Sequence, residues 1–203
     1  MPLDVRELAV AGALELTPRQ FPDDRGVFLE AYRFEGLEEA IGHRFELAQA
    51  NVSVSRKGVV RGIHYADVPP GQAKYVTCTN GAVIDYIVDI RVGSPTFGTW
   101  DSVRLDDVDR RAVYIPEGFG HCFVALADDT TVMYFVSSVF NLEREHGIDP
   151  LDPEIGLVFP EEAGELVLSP KDTEAPGLSE ALALGALPTV DEIAAFHASR
   201  TPQ

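Results

Sequence analysis

Between residues 45 and 139 the chain keeps one rhythm: short runs of alternating or β-branched residues, each closed by Gly, Pro, Asp or Asn. Because a strand sends successive side chains to opposite faces, the run QANVSVS at 49–55 sorts Gln49, Asn51, Ser53 and Ser55 from Ala50, Val52 and Val54. About eight or more such runs, with no helix-period segment regularly between them, predict an antiparallel sandwich or barrel and argue against a parallel α/β sheet. The polar face of 49–55 is suited to lining a cavity.

Residues 1–16 predict an opening strand interrupted at Gly12, and 17–30 a Pro/Asp/Gly turn entering a strand at Arg25-Gly26. FEGLEEAI at 34–41 has a helical pattern with Gly42 as its stop. Asn80-Gly81, between two runs rich in Val, Ile, Thr and Tyr, predicts a β-hairpin. Residues 149–172 read as irregular, 179–184 and 190–200 as short appended helices, and the run REH at 144–146 is ambiguous by composition. The expected organisation is a β domain over 1–172 with a helical extension, 173–203, packed on it.

Charge narrows the partners. Sixteen basic against 33 acidic residues leave a net charge of −17, a field that repels nucleic acid. A small anion held by arginines inside a pocket remains compatible with it. No apolar run approaches the length of a membrane span, the N-terminus lacks a basic-then-apolar leader, and Cys78 and Cys122 are too few for a disulfide framework or a structural zinc site. A cytoplasmic location is expected.

Chemistry concentrates at Asn51–Gly81. Arg61 and His64 occupy one strand run, and Gln72, Lys74 and Tyr75 open the next after the Pro69-Pro70-Gly71 turn. His64 is the best base, since an imidazole changes charge near neutral pH. Asp85, Asp89 or Asp172 could orient it, and Tyr134 could donate a proton from the opposite side. The plainer alternatives are a backbone-satisfied histidine and a tyrosine packed on a sheet. Arg25 and Arg61, with Gln49 and Asn51, could hold a diphosphate through planar guanidinium forks; surface ion pairing is the alternative. His64 and His121, on separate strands, are too few donors for a metal.

Read together, DDRGVFLE (23–30), QANVSVS (49–55), GVVRGIHY (58–65), GQAKYV (71–76), DIRVGSPTFGTW (89–100), IPEGFGHCF (115–123) and LSPKD (168–172) resemble the dTDP-4-dehydrorhamnose 3,5-epimerases, including those of antibiotic deoxysugar pathways. The resemblance spans about residues 3–190. It implies an all-β, cupin-like jelly roll of two antiparallel sheets, a homodimer whose N-terminal strands cross to the partner, and neither catalytic metal nor other cofactor. By resemblance His64 is the general base, Asp172 its carboxylate, Tyr134 the acid on the opposite face, and Lys74 the cation near the sugar C4 oxygen. Gln49, Asn51 and Arg61 resemble diphosphate or sugar contacts, and Phe21, Arg25 and Glu30 nucleotide contacts delivered from the partner. His121, Phe140 and Glu145 complete the implied dTDP-sugar pocket. The implied activity is inversion at C3, C5 or both of a dTDP-4-keto-6-deoxyhexose. The alternatives are a C3-only epimerase, a 3,4-ketoisomerase and a non-catalytic sugar-nucleotide-binding cupin. The sequence departs from the family pattern at Tyr65-Ala66, usually Phe-Gln and expected to reshape the pocket, and at Phe140, often tyrosine.

Overall fold

The computed structural model describes residues 3–200. The strands are β1 (Asp4–Glu7), β2 (Leu14–Thr17), β3 (Gln20–Asp23), β4 (Gly26–Leu29), β5 (Gln49–Ser55), β6 (Val60–Ala66), β7 (Lys74–Asn80), β8 (Ala82–Asp89), β9 (Trp100–Asp106), β10 (Ala112–Ile115), β11 (Phe119–Ala125), β12 (Thr130–Val136) and β13 (Glu145–Gly147). They form a six-stranded sheet, β1-β2-β10-β7-β12-β5, facing a five-stranded sheet, β13-β6-β11-β8-β9, with β3-β4 a separate hairpin. Neighbouring strands within each sheet are antiparallel. The all-β, cupin-like jelly roll expected from the strand rhythm and the resemblance is the fold observed.

Alternation separates three apolar layers. Val76, Cys78, Val132, Val83, Ile87, Val103, Leu105, Phe119 and Phe123 meet between the sheets. The outer face of the five-stranded sheet carries Val60, Ile63, Tyr65, Tyr86, Val88 and Cys122. It is covered by Ile148, Ile155, Ala163, Leu178, Ala181 and Leu187 from the chain after β13. This covering includes α3 (Leu178–Ala183), while α2 (Pro170–Thr173) lies against β6 and α4 (Val190–Ser199) packs Ile193 onto Gly118. Helix α4 opens on a capping box, with Thr189 and Glu192 satisfying each other's backbone N–H groups. Its far end anchors on buried Glu117, which accepts bonds from His197 at 3.3 Å and Arg200 at 3.2 Å.

On the outer face of the six-stranded sheet, α1 (Phe34–Ile41) packs Leu37 against Leu14, Leu16, Tyr75 and Tyr114. It ends at Gly42, whose φ of 77° puts it in the left-handed region that closes helices. Burying Leu37 almost completely contributes about 2 kcal/mol, enough to hold a helix too short to stand alone. Among the described residues no helix is long and apolar enough to cross a membrane.

The Asn80-Gly81 hairpin is a correction. β7 pairs with β10 and β12, whereas β8 pairs with β11 and β9, so the turn carries the chain from one sheet to the other. The turn chemistry was read correctly, since Gly81 has φ 77° and a Cβ there would lie 2.5 Å from Thr130 Oγ1. What decides the partner is tertiary: Asp107 Oδ2 holds the Gly81 N–H at 2.8 Å, turning β8 toward β9.

Strand β5 holds its polar face inward, as expected. Gln49, Asn51 and Ser53 are half-buried and Ser55 is buried, whereas Val52 is 63% and Val54 59% exposed. An apolar face turned outward on an edge strand is the reverse of what a monomer needs. β13, the ambiguous REH run, pairs with β6 through Glu145↔Ala66, His146↔Tyr65 and Gly147↔His64.

Candidate active site

The open end of the space between the sheets collects the polar residues. Strand β6 brings His64 inward, and β11 brings His121 directly opposite it in register. This juxtaposition depends on Gly62, where φ is 126° and a Cβ would lie 2.4 Å from the His121 carbonyl oxygen and 2.6 Å from Cys122 Cα. Any side chain at Gly62 pushes the two histidine strands apart.

Each histidine has its own carboxylate. His64 Nε2 lies 2.7 Å from Asp172 Oδ1. Asp172 sits in the first turn of α2, whose cap Ser169 donates its hydroxyl to Asp172 Oδ2 at 2.8 Å and accepts the Asp172 N–H at 3.2 Å. Burial pushes the Asp172 carboxyl up, but the bonds from His64 and Ser169 and the charge of Lys171 outweigh it and hold it below its ordinary value. An ionised Asp172 accepts the His64 Nε2–H and leaves Nδ1 as the basic nitrogen. His121 Nε2 lies 2.8 Å from Asp85 Oδ2, with both side chains buried. Burial lowers the His121 pKa against the pull of Asp85, and Lys74 and His64 add to the lowering, so His121 is held neutral. Asp85 Oδ1 has no hydrogen-bond partner among the described residues.

Of the three carboxylates considered as orienting groups for His64, Asp172 alone takes that place. Asp85 serves His121, and Asp89 is bound by Arg91, Ser94 and Thr96 at 2.5–2.8 Å. The Asp85–His121 pair was missed. Its signal was a carboxylate on the inward parity of an apolar strand, between Val83 and Ile87.

Lys74, the first residue of β7, is buried, and burial lowers its pKa while Glu145 and Asp85 oppose that. Tyr134, on β12, pairs in register with Asn51 and Val76. Burial raises its pKa, Arg61 lowers it and Glu145 raises it, so the phenol keeps its proton at neutral pH. Arg61 is exposed and donates to Ser55 Oγ at 3.1 Å. Gln49 is fixed at both ends: its amide donates to Asn51 Oδ1 at 2.6 Å and accepts the Phe140 N–H at 3.0 Å. Glu145 faces Gln72 Nε2 at 3.4 Å. His64, Asp172, Lys74, Tyr134, His121, Arg61, Gln49, Asn51 and Glu145 thus converge from both sheets, with the Phe140 backbone beside Gln49 and its ring exposed.

Phe21, Arg25 and Glu30 do not join them. They belong to the β3–β4 hairpin and the residue after it, where Arg25 is paired with Asp23 at 2.5 Å, Arg19 stacks on the Phe21 ring and Arg33 bonds Glu30. The sequence-based pairing of Arg25 with Arg61 around one diphosphate is therefore not made within a single chain. Tyr65 is also corrected. It lies in the outer apolar layer with its ring 5.4 Å from His146, whereas Ala66 pairs in register with Glu145. Among the described residues, no group of three or more His, Cys, Asp or Glu side chains is arranged to hold a metal.

Known proteins resemble the chain over most of its length. The family model described as dTDP-4-dehydrorhamnose 3,5-epimerase matches residues 7–180. A dTDP-4-dehydrorhamnose 3,5-epimerase of Mycolicibacterium smegmatis is 55% identical over 96% of this chain and 95% of its own. A dTDP-4-dehydrorhamnose 3-epimerase of Streptomyces niveus is 55% identical over 91% of this chain and 88% of its own. The crystal structure of a 4-keto-6-deoxy sugar epimerase from the novobiocin gene cluster of Streptomyces spheroides superposes with a TM-score of 0.91 at 53% identity, covering 95% of this chain and 96% of that one. With the family model running from β1 into α3 and so through both histidine–carboxylate pairs, the chain belongs to the dTDP-4-dehydrorhamnose 3,5-epimerase family.

Proposed function

We propose that this chain epimerises a dTDP-4-keto-6-deoxyhexose at C3, C5 or both, in deoxysugar biosynthesis. The carrying observation is the His64–Asp172 pair set in one pocket with Lys74 and Tyr134. A C4 ketone acidifies the hydrogens on C3 and C5. His64 Nδ1 takes one proton, the C–H electron pair becomes a C=C bond to C4, and the carbonyl pair moves onto the C4 oxygen. Lys74 donates to that oxygen where negative charge develops. Neutral His121, with its Nε2–H on Asp85, presents an acceptor rather than a donor, which leaves Lys74 as the cation for the enolate. Tyr134 then protonates the carbon from the other face, and solvent restores both groups.

Gln49, Asn51, Arg61, Glu145 and Phe140 serve as contacts to the dTDP-sugar. The same reading makes the protein a cytoplasmic homodimer that needs no cofactor and binds neither nucleic acid nor membrane. Residues 1–172 are its catalytic unit, and 173–203 the covering extension. In the dimer the β3–β4 hairpin carries Phe21, Arg25 and Glu30 to the partner's pocket. The apolar side chains left outside the fold, Val27, Phe28, Val52 and Val54, support it. A C3-only reading is kept because a 3-epimerase and a 3,5-epimerase are equally similar to this chain, at 55% identity.

The test is solvent-deuterium incorporation into a dTDP-4-keto-6-deoxyhexose, read by NMR. Deuterium at C3 and C5 gives the double epimerase, and deuterium at C3 alone gives the C3 enzyme. Binding without exchange at either carbon refutes catalysis.

A further inference from the structure

Strand β13 is three residues long and pairs with β6 alone, at the edge of its sheet. It sends Glu145 into the pocket and His146 to the opposite face. His146 Nε2 lies 2.7 Å from Asp67 Oδ1, and the Asp67 N–H donates to the Arg144 carbonyl at 3.0 Å. Asp67 also opens the loop from β6 to β7. Its carbonyl accepts the Gly71 N–H at 2.8 Å, and Ser138 Oγ donates to the Gly71 carbonyl at 2.7 Å. Gln72 Nε2 then reaches the Ser138 carbonyl at 3.2 Å and Glu145 Oε1 at 3.4 Å. The loop ending at Lys74 and the segment ending at Glu145 are therefore tied twice, by His146–Asp67 outside and by Gln72–Glu145 inside.

Glu145 needs such placement. Its only direct bond among the described residues is the long one to Gln72, and Ala66 across from it offers a methyl group and no polar support. The charge of Glu145 acts on Lys74, two residues beyond Gln72, whose buried ammonium makes no side-chain hydrogen bond or ion pair among the described residues. Every charged or titratable neighbour matters to such an ammonium. Asp85 of β8 favours its charge but is already committed to His121 through Oδ2. His121 of β11 is held neutral, Tyr134 of β12 keeps its proton, and His64 and Arg61 of β6 add no negative charge. Glu145 is the other carboxylate that favours the Lys74 charge.

We propose that His146 and Asp67 are positioning residues: their pair fastens β13 to the β6–β7 loop and so holds Glu145 toward Lys74. Lys74 then stays charged for the enolate, which makes the inference rest on the epimerase reading. The pair is partly exposed, at 35% and 46% for the side chains, so its effect falls on the placement of a short edge strand rather than on global stability.

The experiment reads Lys74 itself, by NMR titration of its Cε methylene in the whole protein, so that it does not depend on turnover. The variants are His146→Phe, which keeps a ring against Tyr65 and removes the bond, Asp67→Ala, the double variant, His146→Gln, which keeps an N–H donor, and Glu145→Gln. Losing an opposite charge lowers a lysine pKa, because the ammonium loses attraction that stabilised it. His146→Phe and Asp67→Ala are each expected to lower the Lys74 midpoint by about half a unit, a fraction of the roughly 1–3 units that a close opposite charge is worth. The double variant moves it no further, Glu145→Gln moves it at least as far, and His146→Gln restores most of it. The alkaline limb of the exchange rate follows to lower pH with the acid limb fixed. An unchanged Lys74 midpoint in His146→Phe and Asp67→Ala, or additive shifts unrelieved by His146→Gln, overturns the positioning role. Variants that show the Lys74 shifts, alongside wild-type protein that binds the dTDP-sugar but exchanges no deuterium, overturn the epimerase reading instead.

Discussion

Asp172→Asn isolates what the carboxylate does for His64. The side chain is 5% exposed, accepts from His64 at 2.7 Å through one oxygen and from Ser169 at 2.8 Å through the other. An amide of the same shape fits there without a cavity, so folding is largely kept. The chemistry is not, because the amide can turn its NH2 toward His64 Nε2. That favours the tautomer with the proton on Nδ1 and removes the lone pair that takes the substrate proton. It also removes the negative charge that stabilises the imidazolium once the proton has been taken. A correctly placed general base contributes about 10²–10⁴ in rate, and loss of an equivalent carboxylate in serine proteases costs about 10⁴. The expected fall in exchange is therefore about 10³-fold, or about 4 kcal/mol in the barrier. Pre-steady-state deuterium exchange measures it, with circular dichroism as the folding control. A folded variant within tenfold of wild type refutes the assignment of Asp172 to the base.

Two further outcomes follow from the geometry. Tyr134→Phe removes the proposed acid but not the base, so deuterium is expected to enter with retention while net inversion falls by about 10² or more; NMR separates the two, and equal losses of both contradict the division of labour. Gly62→Ala drives a Cβ to within 2.4 Å of the His121 carbonyl from a φ of 126°, where neither backbone can yield cheaply. It is expected to cost at least about 2 kcal/mol in urea unfolding and most of the activity, and unchanged stability contradicts the close approach of β6 and β11.

Much of this was legible before any coordinates. Helix α1 announced itself through its amphipathic run and Gly42, and the inward polar face of β5 followed from the two-residue period alone. What periodicity could not give was partnership across distance. His64 and Asp172 lie 108 positions apart, and the sequence names the second only through family resemblance. By residue pattern alone Asp85, Asp89 and Asp172 were equivalent; the pairing of β8 with β11 brings His121 within reach of Asp85, and the turn after β8 folds Arg91 back onto Asp89. Asn80-Gly81 showed how to turn but not toward which sheet, since that is decided by Asp107 and Thr130. Strand β13 was left ambiguous because a run as short as Glu145–Gly147 carries no period, yet it places Glu145. The role of the hairpin residues Phe21, Arg25 and Glu30 has no reading within one chain, because their proposed pocket belongs to a second copy.

The central claim is that His64 is a carbon-acid base. Its most direct test is His64→Asn, with deuterium exchange at C3 and C5 and the affinity for dTDP measured on the same sample. The account predicts exchange at both positions reduced by at least about 10³-fold, with dTDP bound within a few-fold of wild type. Exchange persisting near the wild-type rate in a variant that still binds dTDP would contradict it.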